Sequence, residues 1–379
     1  MPVLPPAVLA PMDHVGRVGR LRDALGAAGI DGLLLTNLTN IRWLSGFTGS
    51  NGWILLTPDE LTLFTDGRYG DQSRDQLDAV GVDATFAISS TRAVMTADLG
   101  RVSCSAGIAR IGFEGAHVSY ADHRALSASV PGEWVATSGM VEQLRRTKDQ
   151  GEIDRMERAA DIADAALAAT LPLLHTGQTE ARFRDALEIS MREHGGDGPS
   201  FDTIVAAGAN AALPHHHPDD TRIVAGMTVV IDFGSLYDGY HSDMTRTFTI
   251  GDPSAIQAEV YEVVLTAQIA GVEAVASGAR GQLLDRVCRD SIAAAGWGEW
   301  FTHGTGHGVG LQIHESPWLT QSYDDTLAPM DVVTVEPGVY RRDFGGVRIE
   351  DMVVVTTNGC RPLTKTLKDS PCPQSPPTI

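Results

Sequence analysis

Residues 229–248 read VVIDFGSLYDGYHSDMTRTF. The apolar run leading in ends on Asp232. Asp238-Gly239 is a hairpin turn signal, and the chain returns as a second strand carrying Asp243. An antiparallel hairpin can set two such carboxylates side by side. An ionised carboxylate among apolar neighbours is costly unless a cation or hydrogen-bond donors meet it.

Three later stretches supply groups of the same kind. HGTGHGVGLQIHE (303–315) carries His303, His307 and His314 among glycines that permit tight turns and close backbone approach. VVTVEPGVY (332–340) ends an apolar strand on Glu336. In GGVRIEDMVVV (345–355), strand alternation puts Arg348, Glu350 and Met352 on one face and Ile349 and Asp351 on the other. One such acid alone reads as a surface or capping residue. Asp232, Asp243, His307, Glu336 and Glu350 together, all beside apolar strand-like runs, read as a metal site.

The absence of cysteine from this set disfavours a structural zinc knot. Four oxygen ligands and one nitrogen suit hard or borderline divalent ions such as Mn(II), the first expectation, or Co(II), with Zn(II) as an alternative. Four carboxylates carry more charge than one divalent ion needs, so two ions sharing bridging carboxylates are expected. Paired ions can ready a hydroxide and polarise a carbonyl together. Arg348 reads either as a plain salt-bridge partner or as a prop for a neighbouring carboxylate. ALPHHHPDDTRI (212–223) is either an idle, metal-scavenging surface loop or a source of one hydrogen-bond donor near the ions.

With 379 residues the chain has room for two domains. Its 43% hydrophobic and 20% charged residues are ordinary for a globular protein. A net charge of -19 argues against nucleic acid or an anionic membrane as partner. The four cysteines are scattered without a CxxC pair and read as reduced thiols. The proline-rich start has no basic region and does not read as a signal peptide, and no run of about 18 apolar residues suggests a membrane span. The expected compartment is the cytoplasm.

Residues 1–14 read as a flexible arm. From 15 to 145, helical and strand patterns alternate, including an expected hairpin over 53–57 and 61–65, which fits a mixed-sheet α/β domain. Gly139-Met-Val-Glu142 reads as a connector, with the domain boundary near residue 145. From 146 to 365 two helix pairs, near 149–174 with 179–195 and 254–277 with 280–296, each precede strand-rich sequence. That order predicts an α+β domain with antiparallel strands, helices on one side and a hint of internal twofold repetition. The proline- and serine-rich stretch 366–379 reads as a disordered tail.

IDFGSLYDGYHSDMTRTF, HGTGHGVGLQIHE, TVEPGVY and GVRIEDMV, in this order, resemble the M24 "pita-bread" metallopeptidases. FDTIVAAGANAALPHHHPDDTRI (201–223) resembles their proline-specific branch, aminopeptidase P (Xaa-Pro aminopeptidase) and prolidase (Xaa-Pro dipeptidase). The N-terminal half, with GFTGSNGWILLT (46–57), is similar to the creatinase/prolidase N-terminal domain. Creatinase lacks the metal ligands and methionine aminopeptidase lacks this N-terminal domain, so both fit poorly.

The resemblance implies two ions: Asp232 on one, His307 and Glu336 on the other, Asp243 and Glu350 bridging. It implies His215 and His314 as substrate-side histidines, Glu336 as the proton carrier, and His303, Tyr340 and Arg348 as supporting residues. Which of His215, His216 and His217 acts stays open. The implied activity is metal-dependent removal of the residue before proline at a peptide N-terminus, as Xaa-Pro aminopeptidase. Xaa-Pro dipeptidase is the alternative, and a catalytically inactive binding protein of the same fold a remote one. A homodimer is implied as well.

Overall fold

The computed structural model describes residue 4 and residues 7–372. The chain divides between Arg145 and Arg146 into two compact units, and Met1–Pro11 belongs with the second.

The first unit, Met12–Arg145, is built on a six-stranded mixed sheet. Gly32–Leu35 pairs antiparallel with Trp53–Leu56, which pairs antiparallel with Leu61–Asp66. Thr85–Ser89 extends one edge in parallel, and Arg110–Glu114 with Glu133–Thr137 extends the other. Fully buried runs such as GLLL and WILL explain the position of the central strands. Helix Leu38–Ser45 has no counterpart in the sequence reading. Asn37 caps its start through the Thr39 N–H, and Gly46 at φ 74° ends it. The stretch read as a connector also differs, since Met140–Arg146 is a helix. Burial of Val141 and the Arg145 hydrogen bond to Asn40 hold it in place.

The second unit carries two long helices, Gln150–Thr170 and Ala255–Ala274, each starting in a reciprocal capping box, Asp149 with Glu152 and Ser254 with Gln257. Each is followed by a shorter helix, Glu180–Glu193 or Gly281–Ala294. After the first pair comes a sheet in which Thr228–Phe233 lies between Ile204–Ala207 and Met244–Thr249. After the second comes a five-stranded sheet centred on Val332–Val335. One apolar core packs Ile162, Phe183, Val205 and Ile231 together; another packs Val264, Leu284, Val333 and Val353.

The expected turn at Asp238-Gly239 forms, with φ of 45° and 75° and Tyr237 opposite Tyr240. Before it the strands crowd together at Gly234, where a Cβ would lie 1.8 Å from the Ser242 carbonyl oxygen. Only glycine fits there. The pairing of Val347 to Met352 differs from one continuous strand. Gly345–Arg348 pairs with Gly338–Arg341, whereas Asp351–Thr356 pairs with Val332–Val335. Ile349 and Glu350 span the switch between sheets, and the Glu350 N–H donates to the Thr245 carbonyl at 3.1 Å.

Both expected loose ends are anchored where they are described. Ala10 N–H donates to Asp154 at 2.8 Å, and Asp13 already caps helix His14–Ala27. Thr366 bonds to Asp164 and receives Arg246, and the Lys368 carbonyl receives the Tyr261 hydroxyl. Polar partners on the helices hold segments whose composition suggested disorder. Residues 1–3, 5, 6 and 373–379 of the expected arm and tail lie outside the described residues. No helix of the described residues is long and apolar enough to cross a membrane.

Gly234→Ala is expected to destabilise the protein by ~2 kcal/mol or more, because the added carbon meets rigid backbone. A urea midpoint equal to that of the parent would contradict this.

Candidate metal centre and active site

The hairpin pairs Thr245 with Asp232, and Asp243 lies two residues before Thr245 on the same face. Both acids of the hairpin therefore point the same way. His307 arrives from Gly306–Gly308, which lies between Glu315–Leu319 and Val332–Val335. A Cβ at Gly306 would stand 2.0 Å from the Thr334 carbonyl oxygen, so glycine there lets the two chains approach. Glu336 follows directly on Val332–Val335, its N–H bonded to the Thr305 carbonyl at 2.8 Å. Glu350 comes from the switch between sheets.

These side chains converge. His307 Nε2 lies 3.6 Å from Asp243 Oδ2 and 3.4 Å from Glu336 Oε1. One ligand atom each of Asp243, His307 and Glu350 falls within 4.8 Å of the others. Asp232 is tied to the group through Arg348, whose Nη2 donates to Asp232 Oδ2 at 2.5 Å. Asp243, His307 and Glu350 are buried. Asp232 Oδ1 and Glu350 Oε1 are buried with no hydrogen-bond partner among the described residues. Buried carboxylate oxygens without donors are what a cation would satisfy, so the residues fit a metal.

The electrostatics agree with that reading. Burial, then the neighbouring acids with Glu350 foremost, pushes the Asp243 carboxyl well above the usual range. Burial, then Glu336 and Asp232, does the same to Glu350. Glu336 is pushed up by burial to about 8. Burial lowers His307 to about 3, so its ring is neutral at ordinary pH. Its Nδ1 faces the Gly308 carbonyl at 3.0 Å; that carbonyl can only accept, so Nδ1 carries the proton and Nε2 presents its lone pair to the acids.

Arg348 is buried and spends its donors on the centre and its surroundings: Asp232, Thr245 Oγ1 at 3.0 Å, the Tyr340 hydroxyl at 2.9 Å and the Pro214 carbonyl at 3.3 Å. The Tyr340 hydroxyl in turn meets His303 Nε2 at 2.8 Å. His303 Nδ1 donates to the Gly304 carbonyl, and burial lowers this ring to about 4. Tyr340 therefore accepts from Arg348 and donates to His303.

A cavity of about 480 Å³ opens on this cluster. His215, His216, His217, His303 and His314 line it with Asp232, Asp243, His307, Glu336, Arg348 and Glu350. Phe201, Ile204, Ile313 and Trp318 give it apolar walls. The His314 ring stands 4.4 Å from that of His307. Of the residues singled out from the sequence, only Tyr340 stands behind the lining rather than in it, and it touches the lining residues His303 and Arg348.

Two threonines of the centre escaped the sequence reading. Thr245 Oγ1 donates to Glu350 Oε2 at 2.7 Å, and Thr334 Oγ1 to Glu336 Oε1 at 3.3 Å. Each lies two residues from an acid, Asp243 or Glu336, so strand alternation carried the signal. The buried pair Lys148–Glu315, 2.8 Å apart beside His314, carried none, since its members are 167 residues apart.

A buried carboxylate–imidazole cluster in an apolar-walled cavity is the arrangement that a metal-dependent hydrolase requires. Comparison with known proteins agrees. The profile of metallopeptidase family M24 matches residues 154–357, and that of the creatinase/prolidase N-terminal domain matches residues 17–147. The solved Xaa-Pro dipeptidase of Bacillus anthracis is 40% identical, with TM-score 0.90 over 94% of this chain and 99% of that one. A prolidase of Pyrococcus horikoshii is 33% identical, with TM-score 0.87 over 93% and 99%. An X-Pro aminopeptidase of Thermotoga maritima is 35% identical, with TM-score 0.84 over 92% and 99%. The chain belongs to metallopeptidase family M24, with a creatinase-type N-terminal domain ahead of a pita-bread domain.

The raised carboxyls and lowered histidines give opposite pH trends for the metal-free protein. Lowered histidines make stability rise with pH up to their unfolded value of about 6.5. Raised carboxyls make it fall from their unfolded value of about 4 upward. Above about 6.5 only the carboxyl trend remains, and it runs to about 8 for Glu336. The metal-free thermal midpoint should therefore drop between these pH values, and Mn(II) binding should release protons there. Calorimetric titration in buffers of different ionisation enthalpy checks this; no proton release at pH 7 would count against it.

Proposed function

We propose that the protein hydrolyses the peptide bond preceding proline at a peptide N-terminus, using two divalent cations, with Mn(II) first. The observation that carries this reading is the buried cluster whose Asp232 Oδ1 and Glu350 Oε1 have no donor among the described residues, in a cavity also lined by histidines. Asp232, Asp243, His307, Glu336 and Glu350 would hold the ions. When bound, such a pair supplies Lewis acidity and an activated water.

The chain's own residues do the rest. His215 and His314 donate hydrogen bonds to the carbonyl oxygen of the residue before proline as it gains negative charge. Glu336 passes a proton to the proline nitrogen as it leaves. Arg348 holds Asp232 in place, and Tyr340 with His303 holds Arg348. The apolar walls, Phe201, Ile204, Ile313 and Trp318, suit a proline ring. Proline needs a dedicated enzyme because its nitrogen offers no N–H for ordinary proteases to grip.

Aminopeptidase was the first expectation on length preference. The Bacillus anthracis structure, at 40% identity and TM-score 0.90, bears a dipeptidase name, which supports Xaa-Pro dipeptides as the preferred substrates. The four cysteines are free, which supports the cytoplasm. The homodimer rests on family resemblance, and light scattering tests it.

Chelation should abolish cleavage and Mn(II) should restore it; undiminished activity after verified metal loss would end the proposal. Xaa-Pro should be cut faster than Xaa-Pro-Xaa-Xaa, and the reverse ranking returns the assignment to aminopeptidase. Asp243→Ala should bind less metal and lose at least ~100-fold in kcat with its fold intact. Parental metal content and rate would remove Asp243 from the centre.

A further inference from the structure

The run His215-His216-His217 puts three imidazoles at the cavity, and their surroundings differ. The Glu180 carboxylate, fully buried at the start of helix Glu180–Glu193, reaches into the loop that carries them. Its Oε1 accepts from the Ala207 N–H at 2.7 Å and from Asn210 Nδ2 at 3.1 Å. Its Oε2 accepts from His216 Nε2 at 2.7 Å and from the Asp219 N–H at 3.2 Å.

The loop returns the contact. The Glu180 N–H donates to the Thr221 carbonyl and the Ala181 N–H to the Asp219 carbonyl. Glu180, His216 and Asp219 are close enough to suggest another cation site. Both oxygens of Glu180 already accept two donors each, so the cluster reads as a clamp on the loop instead.

On the other side of His215, the Pro214 carbonyl accepts from Arg348 at 3.3 Å. His215 is thus held between two anchors, one on Glu180 through His216 and one on Arg348 through Pro214. It lines the cavity together with His303 and His314.

We infer that Glu180 is a positioning residue. By binding His216 it fixes the loop so that His215, rather than His216, faces the scissile carbonyl. This rests on the proposed Xaa-Pro hydrolysis. His216 is then a strut whose ring cannot reach substrate while it is bonded to Glu180. Asn210 and Asp219 steady the same loop.

The test is a double-variant cycle on the Mn(II)-loaded protein with an Xaa-Pro dipeptide. Glu180→Gln keeps the size but cannot accept at both oxygens, and kcat should fall ~10- to 100-fold with KM and bound metal little changed. In the His215→Ala background the same change should cost nothing more. Equal losses in both backgrounds would overturn the inference. If Glu180→Gln fails to fold, the His216 variants decide. His216→Gln, which keeps an N–H toward Glu180, should restore most of the rate that His216→Phe loses; equal rates for the two overturn it. An inactive metal-loaded parent would instead overturn the functional reading. The positioning is then read by NMR, where a His215 ring resonance unmoved by disrupting Glu180 or His216 would overturn it.

Discussion

Four carboxylates and one imidazole share a small buried volume, and the surrounding structure is arranged to tolerate this. Asp243 and Glu350 are almost wholly removed from water, and burial followed by neighbouring acids raises each one's cost of ionising, Glu350 acting on Asp243 and Glu336 on Glu350. Like charges brought together at low dielectric repel strongly. The chain offsets only part of that repulsion itself, through Arg348 on Asp232 and threonine hydroxyls on Glu350 and Glu336. The remaining negative charge is what gives the site its appetite for divalent cations.

The scaffold explains how such a costly cluster is held. Its acids and imidazole come from separate strands and from a sheet-to-sheet switch, with backbone pairing beside them. Behind Glu350 a second buried network ties the switch to the C-terminal segment. Arg246 donates to the Glu350 carbonyl, to Asp351 and to Thr366, and Lys368 donates to Asp351. The backbone carrying Glu350 therefore keeps its place through fully bonded neighbours. A half-satisfied network would let it relax away from the other acids.

The same economy governs the cavity rim. Arg348 reaches Asp232, Thr245, Tyr340 and Pro214 at once, so one planar guanidinium couples a carboxylate of the buried cluster to the loop bearing His215. Glu180 anchors that loop from the other side. A rigid rim matters because a hydrogen-bond donor helps only when it already stands where negative charge develops.

Much of this was written locally in the sequence. Apolar runs closing on Asp232 and Glu336, the Asp238-Gly239 turn, the glycines around His307 and the alternation around Arg348 and Glu350 each carry their own short-range signal. Helices 150–170 and 255–274 announce themselves through caps and periodicity. The tertiary structure alone decided what depends on distant partners. Glu180 finds His216 across 36 residues, Lys148 finds Glu315 across 167, and Thr366 finds Asp164 across 202. Composition made the ends look loose and left three adjacent histidines equivalent. Burial and hydrogen bonding, which exist only once the chain has folded, anchored the described parts of those ends and gave the histidines different neighbours.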